Sequence, residues 1–182
     1  RILSIYGNEV LAGYTIAIRL ILFSLMPSWG LANAAATLVG QNLGAGKPDR
    51  AEKTVWTAGI ANMIMLGLFG IAFLLKTDFF IRMLTGDIGV ISNGIEGLRI
   101  LSFGFLFYAM GMVMSQAFNG AGDTTTPTWI NFFAFWCIEI PLAYFLAMKF
   151  GFEQNGVYTA IVIAESCLAI IGIVLFRRGR WK

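Results

Sequence analysis

Histidine is absent from the 182 residues of this chain, and charged residues make up only 13% of it. Without histidine, the chain cannot build the usual zinc sites of combined Cys and His ligands. An ordinary soluble domain carries roughly 25% charged residues, so this chain has too few to cover a surface in water. Because 58% of the residues are hydrophobic, the composition predicts that lipid is the solvent.

Cysteine is almost as scarce, since only Cys137 and Cys167 are present and both lie in apolar runs. We expect free, buried thiols, and no metal site or cofactor. The basic residues collect at the ends of apolar segments and form no stripe with surface aromatics, which argues against a nucleic-acid partner. The chain begins with Arg1 and has no signal-peptide pattern, so we expect it to be cut from a longer protein.

Five apolar stretches are each long enough to cross a membrane, because ~30 Å of hydrocarbon requires ~20 helical residues. No stretch alternates with the period of two that strands require. The sequence therefore predicts an all-α integral membrane protein with five transmembrane helices. Pro27 lies inside the first stretch and leaves open a division into two spans. The stretches are residues 9–43, 54–76, 88–119, 127–149 and 154–176.

Lysine and arginine are distributed unequally between the two ends of these stretches. Seven lie between the first two stretches or after the last one, and four lie at the other ends. Cytoplasmic loops carry the excess of positive charge. We expect a multi-pass protein of the plasma (inner) membrane, and this asymmetry of charge places its C-terminus in the cytoplasm.

Ionisable side chains are predicted near the middle of the spans. Arg19, Glu139 and Glu165 lie roughly ten to twelve residues from a predicted helix start, which corresponds to a depth of ~15 to 18 Å. Arg99 has a similar depth, with Glu96 three residues away. An unpaired charge there costs ~3 kcal/mol or more. One interpretation is that the arginines form fixed ion pairs with the glutamates. The other is that Glu139, Glu165 or Glu96 exchanges a proton or holds a cation.

Aromatic and methionine side chains are concentrated in the third and fourth stretches, where most should face lipid or neighbouring helices. Polarizable and aromatic groups also suit a pocket for flat apolar cations. Polar side chains in the second half of the first stretch suggest a wall of a wet cavity. The candidate cavity residues are Tyr108, Met112, Gln116, Asn33, Thr37 and Phe135.

Four blocks, in order along the chain, resemble the C-terminal lobe of multidrug and toxic compound extrusion (MATE) transporters. They are residues 40–51 (GQNLGAGKPDRA), residues 118–124 (FNGAGDT) with Pro127 and Asn131, residues 140–144 (IPLAY) and residues 155–157 (NGV). The resemblance implies two six-helix lobes facing each other across a central cavity, of which this chain supplies five helices. It also implies the N-terminal lobe as partner and export of small organic cations against H+ or Na+. Some bacterial members carry an acidic residue where this chain has Tyr108, which puts their sodium site in doubt here.

Three other functions make predictions about the sequence that differ from those of an exporter. A lipid-linked oligosaccharide flippase of related architecture should have a more cationic cavity, whereas Arg19 and Arg99 have potential acidic partners. A non-transporting structural membrane subunit should hold its charges in fixed protonation states. An intramembrane enzyme needs a nucleophile or metal cluster, and the spans lack histidine, paired aspartates and a serine with a plausible base.

Overall fold

The computed structural model describes residues 2–179 and 181, which form helices and turns with no strand in these ranges. A short 3₁₀ turn, Leu3–Tyr6, precedes the first long helix. The α-helices are α1 (Asn8–Gly44), α2 (Pro48–Leu75), α3 (Thr77–Arg82), α4 (Ile88–Ser102), α5 (Phe105–Gly120), α6 (Thr125–Phe132), α7 (Ile140–Tyr144) and α8 (Glu153–Arg177).

Helix α1 is one continuous helix through Pro27, so the first apolar stretch is not divided. Its buried side is a stripe of mostly small residues spaced three and four apart, as a helix packed closely against its neighbours requires. At Gly13, an added Cβ would lie 2.7 Å from the backbone nitrogen of Gly94, so α1 and α4 cross in near backbone contact. The buried residues of the stripe are Val10, Gly13, Ala17, Ile21, Ser24, Ser28, Ala32, Ala35 and Val39.

Asn62 is a fully buried polar residue on α2, within a helix that otherwise buries small and apolar side chains. Its Nδ2 donates a hydrogen bond to the carbonyl oxygen of Ala109 over 2.9 Å, which joins α2 to α5. A polar contact of this kind fixes the rotation of two helices in an apolar environment.

Replacing Asn62 with alanine is expected to lower the free energy of unfolding by about 1–3 kcal/mol, because the change removes the interhelical bond and leaves a void. Asn33→Ala is the control, since Asn33 is exposed on α1 and should cost less than about 0.5 kcal/mol. Thermal unfolding of the two variants in detergent measures the difference. Equal losses would contradict the assigned role of Asn62.

The third predicted stretch is bent and consists of two helices. Helices α4 and α5 meet at an angle of 55° across Phe103 and Gly104. The break consists of tight turns, in which the N–H of Phe103 donates to the Ile100 carbonyl and the N–H of Gly104 to the Leu101 carbonyl. Gly104 leaves room for the ring of Tyr108, because a Cβ there would lie 2.8 Å from its Cζ.

The fourth stretch contains two wide π-helical segments, Phe133–Glu139 and Phe145–Lys149, on either side of α7. Pro141 explains part of this geometry, since a proline inside a helix lacks an N–H and its ring collides with the carbonyl four residues earlier. Both cysteines are free, as predicted, but the expected burial is wrong, since Cys137 is exposed on this stretch and Cys167 is only half-buried.

Four helical segments are individually long and apolar enough to cross a membrane, and the bent α4–α5 pair makes a fifth if it counts as one span. Large apolar side chains cover their outer faces, including Phe23 and Leu75, which are 70% and 75% exposed. Such a surface is stable in lipid and not in water. The chain is a multi-pass, all-α membrane protein, which confirms the predicted fold class.

Candidate functional site

Two neighbouring cavities lie among α1, α5, α8 and the stretch Thr125–Lys149, with volumes of about 470 Å³ and 260 Å³. Trp29, Met112 and Glu165 line both of them. The larger cavity is also lined by Gly111, Ser115, Gln116, Asn119, Pro127, Thr128, Asn131, Phe135 and Leu168. The smaller one is also lined by Ile18, Ile21, Leu22, Leu25, Leu101, Tyr108 and Ile161.

Helical periodicity brings the polar groups of the larger cavity onto two facing walls. On α5, Met112, Gln116 and Asn119 recur at intervals of four and three residues and therefore share one face. On the opposite wall, Asn131 and Phe135 are four apart. The two walls present amide, hydroxyl and aromatic groups to the same space, which suits a ligand with both polar and flat apolar parts.

Glu165 is the acidic residue in the wall that the two cavities share. It projects from α8 and is half-buried, and no arginine or lysine of residues 2–179 lies within 4.0 Å of its carboxylate. One side of it opens to the polar cavity, and the other to a cavity lined by Ile18, Leu22 and other apolar groups. A ligand that carries a positive charge beside an apolar body therefore finds complementary surfaces on either side of one carboxyl group.

Glu139 lies close to this wall, although it lines neither cavity. Its carboxyl group is close enough to Glu165 and Tyr108 for electrostatic interaction. Its Oε2 is buried without a hydrogen-bond partner among the described residues. A buried oxygen without a partner costs free energy, so Glu139 is available for a proton, a cation or a water molecule.

The predicted pairing of arginines with glutamates is wrong for the described residues. Arg19 and Arg99 are exposed, and between described residues the one ion pair joins Arg82 to Asp78 at 2.8 Å. Arg99 does not pair with Glu96, which is also exposed, because its Nε points across to α3 and donates to the Thr77 Oγ1 over 3.4 Å.

The structure therefore brings together five of the predicted site residues and leaves others apart. Tyr108, Met112, Gln116, Phe135 and Glu165 line the two cavities. Asn33, Thr37 and Glu96 line neither cavity, and all three are exposed.

Several residues that line the cavities were not among those predicted from the sequence. Ser115 and Asn119 could have been found, because they lie three and seven residues after Met112 on the same helical face. Trp29 could not, since only the folded structure brings it into the lining of the same cavities as Glu165. Within residues 2–179 and 181, no group of three Cys, Asp or Glu side chains could hold a metal ion.

Two of the blocks that carry the family resemblance meet in the structure. A Cβ on Gly40 would lie 3.0 Å from the carbonyl oxygen of Gly120, so α1 and α5 touch where both helices end. Beyond this contact, the Asp123 carboxylate accepts a hydrogen bond from the Thr126 N–H at 3.0 Å. Hydrogen bonding by Thr126 holds the pKa of Asp123 below its ordinary value. These blocks therefore fix helix ends and a helix crossing.

Comparison with known proteins gives concordant results. The chain is 26% identical over 181 residues to "Probable multidrug resistance protein NorM" of Thermotoga maritima, covering 100% of this chain and 39% of the relative. It is 25% identical to the NorM protein of Mesorhizobium japonicum, covering 97% of this chain and 38% of that one. The chain thus spans well under half the length of these relatives.

Solved structures share the fold. The MATE transporter ClbM in complex with Rb+ superposes with a TM-score of 0.88 at 21% identity, covering 95% of this chain and 41% of that one. The eukaryotic MATE transporter AtDTX14 superposes with a TM-score of 0.88 at 21% sequence identity, and the match covers 96% of this chain and 39% of that one. The sequence profile of the MatE family matches residues 1–145. Since that match takes in most of the chain, the chain belongs to the MatE family.

Proposed function

We propose that the protein containing this chain is a secondary-active exporter of cationic or amphipathic organic compounds, with H+ or Na+ as the coupling ion. The observation that carries the proposal is the position of Glu165 in the wall between a polar and an apolar cavity. A carboxylate there attracts a cationic ligand, and it can release that ligand when it takes up a proton or a sodium ion.

The relatives support a role in drug export, because several bacterial ones are described as probable multidrug resistance proteins. In this proposal the chain is part of the C-terminal lobe, and an N-terminal lobe of the same protein closes the central cavity over it. Glu165 and the neighbouring Glu139 are the proposed coupling carboxyl groups, and Tyr108, Met112, Gln116 and Phe135 contact the substrate. In this proposal the protein carries out transport without covalent chemistry and is therefore not an enzyme.

The proposed location is the plasma (inner) membrane, with the C-terminus in the cytoplasm. The orientation rests on the excess of lysine and arginine around the turn between α1 and α2 and at the end of α8. Lys47 lies in that turn, and Arg50 and Lys53 lie in the first two turns of α2. Asn33, Thr37 and Glu96 have no role in the two cavities, so they enter the proposal only as surfaces that the other lobe can face.

Reconstituted transport tests the proposal. The full-length protein in liposomes should move a fluorescent organic cation, such as ethidium, when a proton or sodium gradient of the appropriate direction is imposed. Imposing each gradient alone identifies the coupling ion. If neither gradient drives ethidium movement while the protein remains folded, the exporter proposal fails and a structural subunit becomes the better interpretation.

A lipid-linked oligosaccharide flippase fits the site less well. Such a protein handles phosphate groups and should present lysine or arginine to its cavity. Among the described residues, neither cavity is lined by a basic side chain. Arg19 and Arg99 lie outside both of them, so the charge at this site has the sign that suits a cation.

A further inference from the structure

A third cavity of about 580 Å³ lies between α1 and α2, apart from the candidate site. We refer to it as the α1–α2 groove. Leu31 lines it, only two residues after Trp29, which lines the candidate site. Since each helical residue turns the direction by ~100°, these side chains point to nearly opposite sides of α1. The full lining is Leu31, Leu38, Arg50, Lys53, Thr54, Thr57, Ala58 and Ala61.

The chemistry of the groove changes along its length. The α2 residues recur at intervals of three and four, so they form one continuous face of that helix. Arg50 and Lys53 stand at one end, and Ala58 and Ala61 form the other end with small side chains. From Arg50 to Ala61 the helix rises ~16 Å, which is about half the ~30 Å thickness of a bilayer's hydrocarbon core. The groove therefore matches one leaflet in length.

The surface around the groove is suited to lipid. The same face of α2 continues from Ala61 to Ile64 and Leu68, whose side chains are 61% and 64% exposed. On α1, Leu38 is 45% exposed at the groove. Large apolar side chains in such a row are stable only in contact with hydrocarbon or another apolar surface.

The positive charges at the end of the groove are free to bind an anion. Neither Arg50 nor Lys53 lies within 4.0 Å of a carboxylate among the described residues. The Thr54 hydroxyl donates to the Arg50 carbonyl at 2.9 Å, and the Thr57 hydroxyl to the Lys53 carbonyl at 2.8 Å. Because these donors are already used, recognition of a headgroup falls to the guanidinium and the ammonium group.

We propose that the α1–α2 groove binds an anionic glycerophospholipid, with its phosphate between Arg50 and Lys53 and one acyl chain lying along the small residues towards Ala61. Arginine and lysine are the side chains that bind phosphodiesters, and basic pockets between transmembrane helices recognise anionic headgroups. The net negative charge selects phosphatidylglycerol or cardiolipin over phosphatidylcholine. This inference does not depend on the transport proposal.

Lipid binding to the purified full-length protein tests the site, with phosphatidylglycerol and phosphatidylcholine as probes and native mass spectrometry as the measurement. The double variant Arg50→Gln/Lys53→Gln should weaken phosphatidylglycerol binding by about tenfold or more. The matched control Lys47→Gln/Arg178→Gln removes the same charge outside the groove and should change binding less than about twofold. Ala58→Leu, which fills the groove without changing charge, should also weaken binding.

Each alternative result has a defined meaning. Equal losses in the two double variants would show diffuse attraction to a basic surface and would overturn the proposal. So would equal binding of phosphatidylglycerol and phosphatidylcholine, or an unchanged affinity in Ala58→Leu. If lipid binds to none of the proteins because another helix covers the groove, the proposal is also overturned. Thermal unfolding of every variant establishes that a loss of binding does not reflect a loss of folding.

Discussion

Replacing Glu165 with glutamine is expected to reduce gradient-driven transport of an organic cation by about tenfold or more. The substitution keeps the size of the side chain and removes its charge. Losing the charged partner of a desolvated cation costs about 2–5 kcal/mol, and each ~1.4 kcal/mol is a factor of ten. Since Glu165 lines both cavities, it should affect the binding of cations more than that of neutral ligands.

The measurement compares initial rates of ethidium transport by the full-length protein in liposomes. Glu153→Gln is the matched control, because Glu153 lies on the same helix and is exposed at its first turn. That variant should transport at close to the unmodified rate. Glu139→Gln should give an intermediate loss if it acts through its electrostatic interaction with Glu165. Normal transport by Glu165→Gln would remove the basis for placing the cation site in this lobe.

Replacing Gly120 with alanine is expected to destabilise the protein by about 1–3 kcal/mol, because the added methyl group has no space. Its Cβ would collide with the backbone of Ala36, lying 2.8 Å from both the Cα and the carbonyl carbon and closer still to the carbonyl oxygen. Backbone atoms cannot turn aside as a flexible side chain can. Relief therefore requires α1 and α5 to separate at the ends that the family blocks occupy.

Gly30→Ala gives the opposite expectation on the same helix pair. Gly30 lies in α1, and an added Cβ there meets no atom within 4 Å. Alanine favours the helix over glycine by roughly 0.5–1 kcal/mol, so this variant should be equally stable or more stable. Melting temperatures of the full-length protein in detergent compare the two. If both substitutions raise the melting temperature, the close crossing of α1 and α5 is wrong.

The existence of the long helices could be predicted from the sequence because apolar length alone selects them. A run of ~20 apolar residues has no other way to satisfy its backbone in lipid. The break at Phe103 and Gly104 could not be predicted in this way, since apolar length alone does not show where a helix bends. It arises from tight-turn hydrogen bonds and from the ring of Tyr108 beside Gly104.

The candidate site was predicted in part for a similar reason. Met112 and Gln116 share a helical face, so periodicity groups them without any tertiary information. Charge pairing required distances that periodicity does not give, and the expected partners of Arg19 and Arg99 were wrong. Arg99 lies beside Thr77 of α3, a short helix that the hydrophobic stretches did not reveal. Trp29 lines the same cavities as Glu165 only through the packing of α1 against the rest of the bundle.

The π-helical segment Phe133–Glu139 gives the span that carries Glu139 wider turns than those of an α-helix. A π-turn holds one more residue than an α-turn, so converting it to α-helical hydrogen bonding would change the relative rotation of the flanking residues by ~100°. Glu139 is the last residue of this segment, so a rotation of that size would change the direction of its carboxyl group relative to Phe135, which lines the larger cavity. A change of hydrogen-bond register within this one span would therefore alter the orientation of one carboxyl group.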